Sequence, residues 1–150
     1  MKGNSLIIIP TYNEAENIVT VINKIFSTDD NNSILVVDDN SPDGTSNIVN
    51  NLIKNNNTDK LFLITRDKKD GLGTAYKEGF KWALEKEYAY IFEMDADLSH
   101  DPNEIKNLKR LLVNNECDLA IGSRYIEGVS VVNWPLSRIF LSYFANIYVR

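Results

Sequence analysis

The chain has 150 residues, 43% hydrophobic and 25% charged, an ordinary make-up for one globular domain with a real core. A formal net charge of −5 and a pI near 4.9 argue against a nucleic-acid partner, which would favour a basic face. A nucleotide stays compatible, because a bound divalent cation can supply the positive charge.

Cys117 is the one cysteine, so no disulfide forms within the chain; a reducing compartment and a small, buried thiol are expected. The N-terminal residues lead straight into an apolar run, so no signal peptide is expected, and no apolar stretch is long enough to span a bilayer.

Residues 6–9 form a short, continuously apolar run, as a strand covered on both faces would. Pro10-Thr11-Tyr12-Asn13-Glu14 follows it without a glycine, which disfavours a dinucleotide-binding oxidoreductase. Ile18, Val21, Ile22 and Ile25 then keep helical spacing. A second strand-like run over 34–37 ends in Asp38-Asp39. Ser41-Pro42-Asp43-Gly44 reads as a turn, with Thr45 capping the next helix. The third run, 61–64, is followed by a charged loop and by Gly71-Leu72-Gly73, with a helix beginning near Thr74. The fourth run, 90–92, leads to Asp95-Ala96-Asp97-Leu98-Ser99-His100. Pro102 opens a helix striped by Ile105, Leu108, Leu111 and Leu112. Residues 119–121 read as a fifth strand, followed by Arg124-Tyr125.

This alternation predicts an α/β fold, a mainly parallel sheet flanked by helices with right-handed crossovers. Ligands of such sheets bind outside the carboxyl ends of the strands, so the residues after each run carry the functional information. Asp95 and Asp97 lie two apart, and in extended chain they point the same way. At about 6 Å their charges repel by about 3 kcal/mol at an effective dielectric of 20, which a cation between them would relieve. Carboxylate oxygens suit Mg2+ or Mn2+, with waters and phosphates completing the shell. Alone, an Asp-x-Asp is equally a solvated acidic loop. Asp38 and Asp39 face opposite ways, so one can serve the turn's N–H groups while the other faces a ligand.

With these segments laid out, the chain resembles the family-2 glycosyltransferases, most closely the dolichol-phosphate (polyprenol-phosphate) mannose synthases. The matching segments are PTYNE at 10–14, VVDDNSPDGT at 36–45, GLGTAYKEG at 71–79, MDADLSHDP at 94–102 and GSRY at 122–125, with Trp134 and Arg138 in a later Trp-x-x-x-Arg element. The resemblance implies a GT-A type, Rossmann-like fold, a nucleotide-diphosphate sugar donor and inversion at the anomeric carbon. It places Pro10, Tyr12, Glu14, Val37 and Asp39 in the nucleotide pocket and Asp95 and Ala96 against the ribose and diphosphate. Asp97, with Asp95, would hold Mg2+ or Mn2+. Arg124 and Arg138 would contact donor or acceptor phosphates. Arginine suits that task because its fork donates parallel hydrogen bonds. The expected reaction moves a hexose, mannose from GDP-mannose being favoured, onto a polyprenyl phosphate. That acceptor is already anionic, so no strong general base is needed. The alternatives are a family-2 transferase using UDP-glucose or another donor with a glycan acceptor, and a nucleotide-binding module without catalysis.

Two departures from the family pattern stand out. His100 is followed by Asp101 rather than a second histidine, and Gly128 by Val129 rather than a second glycine. Relatives also continue past residue 150, so the sequence reads as a single catalytic domain over 1–150, truncated on the acceptor side. Residues 135–150 read as an amphipathic helix with a narrow polar stripe of Arg138, Ser142, Asn146 and Arg150. Its wide apolar surface is expected to pack on the core, to lie on a membrane surface, or to mediate self-association. The corresponding location is the cytoplasmic side of a membrane, held peripherally.

Overall fold

The computed structural model describes residues 4–29, 31–56, 58–122, 141–142 and 144–145. Arg124, Arg138, Trp134 and most of the expected helix over 135–150 lie outside the described residues; residues 141, 142, 144 and 145 are helical. By its contacts the chain forms two compact units, Met1–Asp118 and Leu119–Arg150, and every element below belongs to the first.

The strands are β1 (Ser5–Thr11), β2 (Asn32–Asp38), β3 (Leu61–Thr65) and β4 (Tyr90–Glu93). The helices are α1 (Ile18–Thr28), α2 (Thr45–Asn56), α3 (Leu72–Glu85) and α4 (Glu104–Val113). All pairings are parallel, in the order β3-β2-β1-β4. The continuous apolar runs foretold two covered faces, and the packing separates them by alternation. Ile7 and Ile9, with Ile34 and Val36, pack towards α1, α2 and α4. Leu6 and Ile8, with Leu35 and Val37, pack towards α3. Ile18, Val21, Ile22 and Ile25 are all fully buried on α1, and side chains of that size each contribute about 1.5–3 kcal/mol when removed from water.

The position of α3 follows from chain order. The β1-α1-β2 and β2-α2-β3 crossovers step in one direction, so right-handedness puts α1 and α2 on one face. From β3 the chain returns past β2 and β1 to β4, which puts α3 on the other. The strand order thus reverses between β1 and β4, and sheets of this kind take ligands in the crevice outside the carboxyl ends at such a switch point. The buried face of α3 is made of small residues, Ala75, Gly79 and Ala83. They allow a close approach: a Cβ at Gly79 would lie 2.6 Å from Ile8 Cγ2.

Four expectations need correction. Residues 119–121 form no strand; three apolar residues favour burial but supply few ladder hydrogen bonds, and pairing is decided by a neighbouring strand rather than by composition. Pro102 lies two residues before α4, in a turn where Glu104 and Ile105 N–H groups bond the Asp101 and Pro102 carbonyls. The cap of α2 is Asp43 rather than Thr45: its Oδ1 accepts from Thr45 N at 3.0 Å and from Thr45 Oγ1 at 2.6 Å, while the Thr45 hydroxyl accepts from Glu14 N instead of a helix N–H. Cys117 is half-buried rather than buried, since it follows the end of α4 instead of packing within it.

Candidate active site at the carboxyl edge of the sheet

The loops after β1 and β2 are stitched together. Three successive N–H groups, at Asn13, Glu14 and Ala15, donate to Ser41 Oγ (3.0 Å), Thr45 Oγ1 (3.1 Å) and Asp43 Oδ2 (2.9 Å). Asn13 and Asn40 both take the left-handed backbone conformation, which asparagine tolerates at sharp turns. Asp43 is held below its usual range: desolvation works the other way, but the bonds from Thr45 and Ala15 outweigh it.

Asp38 and Asp39 do separate jobs. Asp38 is fully buried and accepts from Thr11 Oγ1 (2.8 Å), Ser41 N (2.9 Å), Ser41 Oγ (2.6 Å) and Ser46 Oγ (2.7 Å). It satisfies the donors of three elements and is spoken for. Asp39 faces the other way. Its Oδ1 accepts from Arg66 Nη1 at 2.8 Å and its Oδ2 from the Asp70 N–H at 3.4 Å. Arg66 also reaches Thr74 Oγ1 at 2.7 Å and Glu78 at 3.4 Å, so it ties the ends of β2 and β3 to the start of α3. The same loop after β3 lays the Lys69 ammonium 3.9 Å from the centre of the Tyr12 ring. Tyr12, 37% exposed, is thus presented at the rim beside Asp39.

Across the crevice, Asp95 and Asp97 follow β4. Asp95 Oδ1 accepts from the Tyr76 hydroxyl at 3.3 Å, and the Asp95 N–H donates to His100 Nδ1 at 3.3 Å. His100 Nε2 lies 4.0 Å from Asp95 Oδ2. Asp97 is exposed and accepts at Oδ1 from the Ser99 N–H at 2.9 Å. Desolvation raises its pKa, but hydrogen bonds from Ser99 and the charge of His100 take it below the usual carboxylate range, so it is ionised at neutral pH. Leu98, between Asp97 and Ser99, takes a φ of 60°, strained for a residue with a branched apolar side chain.

The sequence-derived site residues therefore divide. Tyr12, Glu14 and Asp39 gather on one side of the switch point, Asp95 and Asp97 on the other. Pro10 is the next-to-last residue of β1 and is half-buried. Val37 and Ala96 are buried core residues, so any part they take in a pocket falls to their main chain. The sequence reading gave no role to Thr11, Ser46, Arg66 or Tyr76. Thr11 and Tyr76 lie inside segments that carry the family resemblance and Arg66 comes just after the third apolar run, whereas Ser46 left no signal. A divalent cation fits the β4 loop in donor chemistry: two hard carboxylates, one exposed and one with a 40% exposed side chain. Among the described residues no group of three or more His, Cys, Asp or Glu side chains could hold a metal, so water and ligand phosphates would complete the shell.

Fold and site residues together define an α/β domain with a parallel sheet, whose switch point lies between the acidic loop after β4 and the loop that carries Tyr12. The chain belongs to glycosyl transferase family 2, whose sequence model matches residues 6–149. It is 47% identical over 148 residues to the polyprenol monophosphomannose synthase of Mycolicibacterium smegmatis, covering 97% of this chain and 54% of that protein. It is 40% identical over 145 residues to the undecaprenyl-phosphate mannosyltransferase of Micrococcus luteus, covering 97% and 58%. The chain thus spans about half the length of the curated relatives it matches. Among solved structures it resembles the mannosyltransferase PcManGT from Pyrobaculum calidifontis in complex with GDP-Man and Mn2+, with a TM-score of 0.65 and 26% identity over 75% of this chain and 33% of that one. S. aureus TarS shares the fold, with a TM-score of 0.66 at 24% identity over 89% of this chain and 39% of that one. The GT-A expectation for the fold agrees with these neighbours.

Proposed function

We propose that this protein transfers a hexose, mannose from GDP-mannose, to a polyprenyl phosphate with inversion at the anomeric carbon. The observation that carries the reading is the placement of Asp95 and Asp97 across the switch point from Tyr12 and Asp39. A nucleotide lying across the crevice would have its base and ribose beside Tyr12 and Asp39 and its diphosphate at the acidic loop. The relatives' names supply the sugar and the lipid phosphate.

In this reading Asp95 and Asp97 would hold Mg2+ or Mn2+, which when bound offsets the charge gathering on the departing diphosphate. Asp39 accepts a hydrogen bond from the base or ribose, with Arg66 fixing its orientation. Tyr12 offers a ring face to the base, and Pro10, Glu14, Val37 and Ala96 shape the pocket. An acceptor phosphate oxygen attacks the anomeric carbon; that bond forms as the bond from carbon to the diphosphate oxygen breaks, and the electron pair leaves with GDP. The acceptor oxygen is already anionic, so no proton need be removed, and His100 has no duty as a base. Arg124 and Arg138, outside the described residues, would bind the donor and acceptor phosphates.

The lipid acceptor places the protein on a membrane surface, peripherally, on the side where nucleotide sugars are available. Among the described residues no helix is long and apolar enough to cross a membrane. The test is incubation with GDP-mannose, Mn2+ and polyprenyl phosphate. Formation of a mannosylated lipid phosphate supports the proposal. Transfer only to a glycan, or only from UDP-glucose, overturns the assigned substrates, and nucleotide binding without any turnover overturns the enzyme.

A further inference from the structure

Asp95 is built into the β4 loop with more care than an exposed acidic loop needs. Its main chain is held by His100, whose Nδ1 accepts the Asp95 N–H at 3.3 Å while Nε2 lies 4.0 Å from Asp95 Oδ2. Its side chain is held from another element. Tyr76 stands on α3, directly after the buried Ala75, on the face of the sheet opposite α1 and α4. From there its hydroxyl reaches Asp95 Oδ1 at 3.3 Å. An ionised carboxylate can only accept and a phenol O–H can donate, so the bond runs from hydroxyl to carboxylate.

We propose that Tyr76 is a positioning residue for the acidic loop: it pins Oδ1 of Asp95 and leaves Oδ2, on the His100 side, for a divalent cation held jointly with Asp97. The inference rests on reading Asp95 and Asp97 as the cation site. A carboxylate with a 40% exposed side chain is otherwise free to rotate, and a site with only two protein carboxylates cannot tolerate one turned away. The competing account makes Tyr76 a packing residue, since its ring also lies against the α3-side core. The two accounts differ only in the hydroxyl, which a phenylalanine removes while keeping the ring.

The test reads the metal directly. Mn2+ binding to the whole chain with GDP present is followed through the electron paramagnetic resonance of free Mn2+, for the unsubstituted protein, Tyr76→Phe and Phe80→Leu. Phe80 lies one turn further along α3 and packs on the same core, and its side chain carries no hydrogen-bonding group. Removing a partner that orients a metal ligand typically weakens metal binding about 10- to 100-fold. Tyr76→Phe is therefore expected to raise the Mn2+ Kd at least ~10-fold, with metal-free GDP affinity and melting temperature unchanged. Phe80→Leu is expected to leave the Mn2+ Kd unchanged. An unaltered Kd in Tyr76→Phe, or an equal loss in Phe80→Leu, overturns the positioning role alone. Failure of the unsubstituted protein to bind Mn2+ overturns the cation site and this inference with it.

Discussion

Arg66 donates to Asp39 at 2.8 Å across the gap between the ends of β3 and β2, and both side chains are nearly buried, at 10% and 7% exposure. Asp39 is the residue proposed to meet the nucleotide, so its partner decides how it is presented. Taking the guanidinium away leaves a buried carboxylate without its counter-charge, and also removes the links to Thr74 and Glu78 on α3. We predict that Arg66→Met destabilises the fold by about 3 kcal/mol, the low end for breaking a buried pair from one side. Arg66→Lys keeps the charge but not the fork and should fall between. Urea denaturation checks both; a loss under about 0.5 kcal/mol, the range of ordinary surface substitutions, would count against the pair.

Asp97, proposed as a ligand of the cation, has a lowered pKa and is ionised at neutral pH. Asp97→Ala is expected to remove the Mn2+-dependent part of GDP binding and to leave the metal-independent part in place. Calorimetric titration with and without Mn2+ separates the two. Metal-dependent binding that survives the substitution contradicts the assignment.

Gly79 lets α3 lie against β1, and any side chain there meets Ile8 Cγ2 at 2.6 Å. Gly79→Ala should cost about 1–3 kcal/mol through overpacking, despite alanine's better helix propensity. Trimming the opposing side chain should return part of the loss, so Gly79→Ala with Ile8→Ala is expected to be less destabilised than the sum of the single changes. Strict additivity would show that the contact is not the cause.

Asp29 has a lowered pKa, first through the hydrogen bond from the Asn31 N–H and further through Lys109, whose Nζ lies 3.3 Å away and links the end of α1 to α4; desolvation opposes both. A folded-state pKa below the unfolded value means the contribution to stability is present above the unfolded pKa and is lost as pH falls through the folded one. Asp29→Asn should therefore melt below the unsubstituted protein at pH 6, with the gap closing below about pH 4. A gap that is constant with pH would remove the ionic explanation.

Much of this was written in the chain. The runs over 6–9, 34–37, 61–64 and 90–92 became β1 to β4, because apolarity at every position leaves a strand no solvent face to show. The α1 and α4 stripes emerged as helices for the matching reason at helical spacing. The division of labour in Asp38-Asp39 was legible as a division, since neighbours on a strand point apart, but which of the two was structural was not. That depended on Thr11 and Ser46, separated from Asp38 by other segments of chain and brought to it by folding. Residues 119–121 were misread because three apolar residues record a preference for burial, not for a partner.

The sequence by itself determined the alternation of strand and helix, and with it the edge at which a ligand would be met, because hydrophobic periodicity and strand-end chemistry are local properties. Only the tertiary structure decided that β4 joins β1, so that Asp95 and Asp97 stand across a crevice from Tyr12 and Asp39. It alone set Arg66 on Asp39 and Tyr76 on Asp95. Those pairings join residues 27 and 19 positions apart through the direction of a crossover and the close approach of a small-residue helix, neither of which any short stretch of chain encodes.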